Sequence, residues 1–283
     1  MAQSIWPTEV AEADATGEIK AIYQDIKNVL GVAMVNLLYR RLAVEPAALR
    51  WAWDSIRAAA VDGELERGVS ALSSALANSP IPDVPIAALR CVGIDPDTQG
   101  SILDVIDAFN DANPRNLIGV CIWAALLEGR PRSGRSIQPA PDHAPRTGKR
   151  NFPPLPPMIS IDQMDADTAG VVKGYLKWRD PAETPSVPSL YRHLAHWPSF
   201  LAMALVAIGP LFSTGSVAAT QKSLRSAAKA KAEDILSRST VAPPMLPEGK
   251  ALSVIKEIAA VYPTRISELV VVGHTMRSFL TLR

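Results

Sequence analysis

Apolar residues recur along this chain at spacings of three and four. Ile19, Ile22, Tyr23, Ile26, Val29 and Leu30 share one face of a predicted amphipathic helix, because 3.6 residues per turn bring such positions together. Pro46 predicts the start of another helix, carrying Leu49, Trp53 and Ile56; proline suits a first turn, where its missing N–H is no loss. Asn113 followed by Pro114 reads as the N-cap and first residue of a later helix, with Leu117, Val120, Cys121 and Ala124 on one face. No stretch alternates apolar and polar residues strictly enough for a confident strand. The apolar run 269–272 passes for one locally, yet its counterpart in the other half of the chain is helical in pattern. The expected fold class is all-α.

The chain also repeats itself. Shifted by 152 residues, positions 35–56 align without a gap on 187–208, and ten of those 22 columns are identical. They include Val35/Val187, Leu38/Leu190, Tyr39/Tyr191, Arg40/Arg192 and Pro46/Pro198, and the same offset matches Tyr23 with Tyr175 and Leu117 with Leu269. Units this long are unlike the short repeats of solenoids. They predict two tandem helical units, residues 1–129 and 159–283, forming a pseudo-twofold intramolecular dimer that keeps the isologous interface of an ancestral pair. Between them, residues 130–158 hold eight prolines and six basic residues against one acidic. Such a segment is neither helix nor central strand, and reads as an extended connector.

Charge narrows the function. With 29 basic and 28 acidic residues, the net charge of +1 supplies no long-range field for nucleic acid or an anionic membrane. Cys91 and Cys121 lack CxxC spacing and make neither a disulfide framework nor a thiolate metal site. The N-terminal residues show no signal-peptide pattern, and the most apolar stretches fall short of the roughly 18 residues of a spanning helix. A cytoplasmic protein with a small-molecule partner is expected, with a homodimer left open. His193, His196 and His274 are candidate metal ligands, but no recognisable third-ligand motif accompanies the pair spaced three apart. GxSxG, GxGxxG, P-loop and HExxH patterns are absent.

The string EIKAIYQDIKNVLGVAMVNLLYRRLAVEPAALRWAW, its second-half echo VPSLYRHLAHWPSFL and the segment NPRNLIGV resemble the group I 2-haloacid dehalogenases over nearly the whole chain. The resemblance implies an α-helical internal duplication that hydrolyses 2-haloalkanoic acids of either hand. An activated water attacks the halogen-bearing carbon with inversion, and neither a metal nor an organic cofactor takes part. Such chemistry needs a carboxylate base, a second polar group for the water, a donor for the substrate carboxylate and an apolar cradle for the halide. TGEIKAIYQDIK is also similar to the first helix of carboxymuconolactone decarboxylase and alkylhydroperoxidase-like proteins, but neither cysteine supplies their redox CxxC pair.

In the dehalogenases the base is an aspartate that follows a serine and precedes the aromatic residue of the second unit's YR-like motif. Those columns here read Pro188, Ser189, Leu190, Tyr191, and no carboxylate lies between Glu183 and Trp197. The resemblance assigns the water-positioning asparagine to Asn116, which as a first-turn side chain could equally serve its own helix. The repeat carries Asn116 onto Glu268, a candidate substitute base or, alternatively, a glutamate complementing a helix dipole. Val35 and Leu38, or Asn36 and Tyr39 with a one-residue shift, match the columns of the pocket aromatics. The expected site is therefore a cleft between the units, with Asn116 and Glu268 facing it and Ser189, Leu190, Pro188, Leu38 and Tyr39 on its walls. Two functions compete: a hydrolase of a small 2-substituted acid using Asn116 and Glu268, and a non-catalytic binding protein that keeps the pocket for a small acid or other ligand.

Overall fold

In the computed structural model the described residues are 8–77, 79, 81–129, 152–178, 187–239 and 241–281, and their regular structure is helical throughout. Helix α1, Gly17–Leu30, buries Tyr23, Ile26 and Leu30 and stops at Gly31, whose φ of 64° suits a residue without Cβ. Helix α2, Leu37–Leu42, is capped by Asn36, whose side chain accepts the Leu38 N–H. Helix α3, Pro46–Val61, starts at the expected proline and buries Leu49, Trp53 and Ile56. Then follow α4, Glu64–Leu76, α5, Ile86–Cys91, and α6, Pro96–Leu127. Beyond residue 151 come a 3₁₀ turn at Ile161–Gln163, α7, Ala166–Gly174, α8, Ser189–Leu194, α9, Pro198–Ser213, α10, Ser216–Arg238, and α11, Gly249–Thr281. The run 269–272 lies inside α11.

One boundary differs from expectation. Asn113 and Pro114 do not start a helix; they lie inside α6, which begins at Asp95 and Pro96, where the Asp95 carboxylate accepts the Thr98 N–H at 2.7 Å. A proline in a helix interior costs about 3 kcal/mol, and local sequence alone favours a break there. Tertiary burial overrides it: Asn113, Pro114, Arg115 and Asn116 are all buried, so continuing the helix keeps an apolar face packed on both sides of the proline. Helix α11 carries Pro263 in the same way. A helix of 32 residues is about 48 Å long, and α11 packs along α6.

The helix bounds recur at the 152-residue offset: α2 and α8, like α3 and α9, are displaced by it at both ends, and α4 and α10 at their starts. Two buried clusters form around these helices, and each draws on both halves of the chain. One joins α1, α3 and α4 to the C-terminal half of α6, to α10 and to α11 as far as Val271. The other joins α5 and the N-terminal half of α6 to α7, α8, α9 and the end of α11 from Val272. Helices α6 and α11 therefore cross from one core to the other, in opposite senses. Most of the expected connector lies outside the described residues; from Phe152 to Ser160 the chain has no regular secondary structure. No single helix among the described residues is long and apolar enough to cross a membrane.

Candidate functional site

The starts of α2 and α8 meet the middles of α6 and α11 around one pocket. Asn36 and Leu37 come from the first, Pro188 and Ser189 from the second, Phe109 and Asn113 from α6, and Tyr262, Arg265, Ile266 and Leu269 from α11. The enclosed space is small, about 30 Å³. Three pairs in this wall are equivalent by the 152-residue offset: Asn36 with Pro188, Leu37 with Ser189, and Asn113 with Arg265.

Its polar groups are held by short local networks. Asn36 Oδ1 caps α2 by accepting the Leu38 N–H at 3.1 Å, while Asn36 Nδ2 donates to Asn113 Oδ1 at 3.2 Å. Asn113 is 1% exposed, and its Nδ2 has no hydrogen-bond acceptor among the described residues. Arg40, buried in the first half, donates from Nη2 to Ser189 Oγ at 3.1 Å and to Glu9 Oε2 at 3.3 Å, and from Nη1 to the Val35 carbonyl at 3.2 Å. Ser189 thus accepts from a fixed cation and keeps its own hydroxyl proton to donate. Glu9 also reaches Arg192, the counterpart of Arg40, at 3.5 Å. The Arg265 guanidinium lies over the Tyr262 ring, 5.7 Å from its centroid, so cation and aromatic face share one wall. Among the described lining residues there is one cation, two amides, one aliphatic hydroxyl and no carboxylate.

Of the residues expected at this site, Asn36, Pro188 and Ser189 line the pocket. Leu38, Tyr39 and Val35 do not; they are fully buried in the first core. Tyr39 sits edge-on to Trp53 and Trp123 and donates its hydroxyl to Asn116 Oδ1 at 3.2 Å. Leu190 belongs to the second core, with no exposed surface. Leu38, Tyr39 and Leu190, expected on the wall, lie instead in the cores and not among its described lining residues: in each of α2 and α8 the pocket takes the first residue, and helical rotation carries the next one into the core. Asn116 and Glu268 are both buried, but neither lines the pocket. One turn earlier on each helix, Asn113 and Arg265 do.

Sequence reasoning therefore missed Asn113, Arg265, Leu37, Phe109, Tyr262, Ile266 and Leu269. The repeat held a signal, since it pairs Asn113 with Arg265 as readily as Asn116 with Glu268. The Asn-Pro start signal masked it. The histidines do other work: His193 Nδ1 is 2.8 Å from the Pro156 carbonyl and His196 Nε2 is 2.7 Å from that of Pro157, so the pair spaced three apart fastens the segment leading into the second half. Burial, with Arg40 and Arg192 adding repulsion, lowers the His193 pKa to about 4. Among the described residues no group of His, Cys, Asp and Glu side chains is arranged to hold a metal ion.

No protein-family model matches the chain. It is 27% identical over 210 residues to an (R)-2-haloacid dehalogenase of Pseudomonas putida, spanning 72% of this chain and 68% of that one. To the (R)-2-haloacid dehalogenase of Rhizobium sp. (strain NHG3) it is 28% identical over 235 residues, 76% of this chain and 82% of the relative. A configuration-inverting 2-haloacid dehalogenase of Alcaligenes xylosoxydans xylosoxydans matches at 25% over 196 residues, 68% of this chain and 65% of that one. Among solved structures, a D-2-haloacid dehalogenase mutant in complex with D-2-CPA superposes with a TM-score of 0.77 at 22% identity, covering 96% of this chain and 95% of that one. A D-2-haloacid dehalogenase in complex with L-LA gives 0.77 at 21% identity, with 96% of each chain covered. In sequence the chain is thus similar to 2-haloacid dehalogenases over about seven-tenths of its length, and it shares the fold of the solved D-2-haloacid dehalogenases.

Proposed function

We propose that this chain binds a short apolar carboxylic acid in the pocket between α2, α8, α6 and α11, without releasing halide by the water route that the resemblance implies. The observation that carries this reading is the lining: Arg265, Asn36, Asn113 and Ser189 are the cation and hydrogen-bonding groups that recognise a carboxylate, the remaining wall is largely apolar, and among the described lining residues no carboxylate is present to take a proton from water. A small concave site with a few convergent polar groups is the usual form of a small-ligand pocket. The column assigned to the base holds Leu190, which cannot accept a proton, and a general base contributes some 10²–10⁴-fold in rate. Glu268 is not among the described lining residues, so among them the hydrolase reading has no base at the pocket wall. Residues 1–129 and 159–283 are read as duplicated units facing each other across this site, supported by the three equivalent pairs in its wall and the recurring helix bounds.

The test combines calorimetric titration with propionate and 2-chloropropionate and a halide-release assay on both enantiomers of 2-chloropropionate, for the wild type and Leu190→Asp. Saturable binding with no halide above background is expected from the wild type. Leu190→Asp places a charge in a fully buried position and costs several kcal/mol of stability, so its fold is checked by circular dichroism. Leu190 faces the second core and is not among the described lining residues, so even the folded variant is expected to gain no turnover. Robust halide release by the wild type would sink the proposal, as would the absence of any binding.

A further inference from the structure

The pocket contains a hydrogen-bond donor whose direction is set by its neighbours. Asn36 Oδ1 is committed to the Leu38 N–H, which it caps at 3.1 Å. The other end of that amide, Nδ2, must then face Asn113, and it does so at 3.2 Å from Oδ1. An amide offers one acceptor and two donor hydrogens on opposite ends. With its oxygen held by Asn36, Asn113 turns Nδ2 away from that contact, and flipping it would set two N–H groups against each other. The helix cap of α2 thus fixes the orientation of a side chain on α6. Asn113 is 1% exposed, lines the pocket, and has no acceptor for Nδ2 among the described residues. Burying a donor without a partner costs about 1–3 kcal/mol, and the bond from Asn36 satisfies only the other end of this amide.

We infer that Asn113 is a specificity-determining residue of the pocket, donating from Nδ2 to a carboxylate oxygen of a short acid, and that Asn36 is the positioning residue that sets its direction. The inference rests on the acid-binding reading above and assigns a donor within it. A polar residue kept for a ligand has a signature that a structural one lacks: removing it weakens binding while leaving the ligand-free protein as stable or more so.

The test measures the affinity for propionate and 2-chloropropionate by calorimetry, and the ligand-free melting temperature, for the wild type, Asn113→Leu, Asn113→Asp and Asn36→Ser. Asn113→Leu should weaken both acids by roughly 10–100-fold, the range of a lost hydrogen bond to a charged group, with the ligand-free melting temperature unchanged or raised. Asn113→Asp, which keeps the oxygen facing Asn36 but replaces the donor by an anion, should abolish binding at neutral pH. Asn36→Ser retains a capping side chain but does not reach Asn113, and should weaken binding by roughly 3–10-fold, a part of the same hydrogen bond, with little change in melting. Wild-type binding unaltered in Asn113→Leu and Asn36→Ser would overturn the inference and leave the acid-binding reading standing. Failure of the wild type to bind either acid would overturn both. Should Asn113→Leu fail to fold, Asn113 has a structural role and the inference falls unless Asn36→Ser, which spares it, still weakens binding.

Discussion

His193 shows how much the environment of a single residue matters. Its spacing from His196 suggests a metal pair, yet in the fold each ring faces a proline carbonyl and His193 is 4% exposed. Burial is the main cause of its depressed pKa, about 4 against 6.5 for the free side chain; the Arg40, Arg192 and His196 charges add to it, and the Pro156 carbonyl opposes it. Between those two values the unfolded chain binds a proton that the folded one refuses, so stability rises with pH from about 4 to 6.5 and the penalty is gone above that window. The full effect amounts to about 3 kcal/mol at 1.36 kcal/mol per unit. Replacing His193 with Gln, which still offers an N–H to Pro156, should flatten the pH dependence of the urea midpoint in this window. His274 contributes in the same direction, so the difference between wild type and variant isolates His193. An unchanged slope would show that His193 is not the group responsible.

At the scale of elements, the packing of α6 on α11 depends on one close approach. Gly273 of α11 has Asn110 of α6 against it, with Asn110 Nδ2 donating to the Gly273 carbonyl at 3.1 Å. A Cβ at position 273 would overlap the Asn110 side-chain oxygen. The asparagine must then rotate and give up that bond, worth about 1 kcal/mol. Gly273→Ala is therefore expected to lower the unfolding free energy by about that amount, even though alanine is the better helix former. A rise in stability would mean that helix propensity outweighs the contact. The two prolines belong to this scale as well. Asn113 and Pro114 read as a helix start from their neighbours alone, whereas burial on both sides carries α6 past them, as it carries α11 past Pro263.

Over the whole molecule, Glu9 joins the equivalent arginines of the two halves. One carboxylate oxygen is 3.3 Å from Arg40 and the other 3.5 Å from Arg192, and Arg40 is 1% exposed. Breaking a fully buried ion pair costs 3–5 kcal/mol; Glu9 keeps 22% of its side-chain surface, so Glu9→Gln should cost less, about 2 kcal/mol once solvent screening is allowed for. Chemical denaturation would measure it. The same variant should loosen Ser189, whose oxygen depends on Arg40, and so weaken acid binding along with stability. Equal denaturation midpoints for variant and wild type would show that the bridge contributes nothing.

The sequence by itself determined the elements and their repetition. Apolar spacing is a local property of a helix, and a 152-residue offset is visible in residue identities alone, so the all-α class, the starts of α3 and α9 and the neighbourhood of Ser189 were legible without coordinates. The comparison of the YR-like motifs also singled out Leu190 before any packing was known. The tertiary structure decided which face of each element meets the pocket. A turn of helix is 3.6 residues, so a shift of one position between Ser189 and Leu190, or of three between Asn113 and Asn116, exchanges pocket wall for core. That rotation is fixed by packing against helices distant in the chain, and for this reason Asn113 and Arg265 emerged as pocket residues only once α6 and α11 were seen to cross.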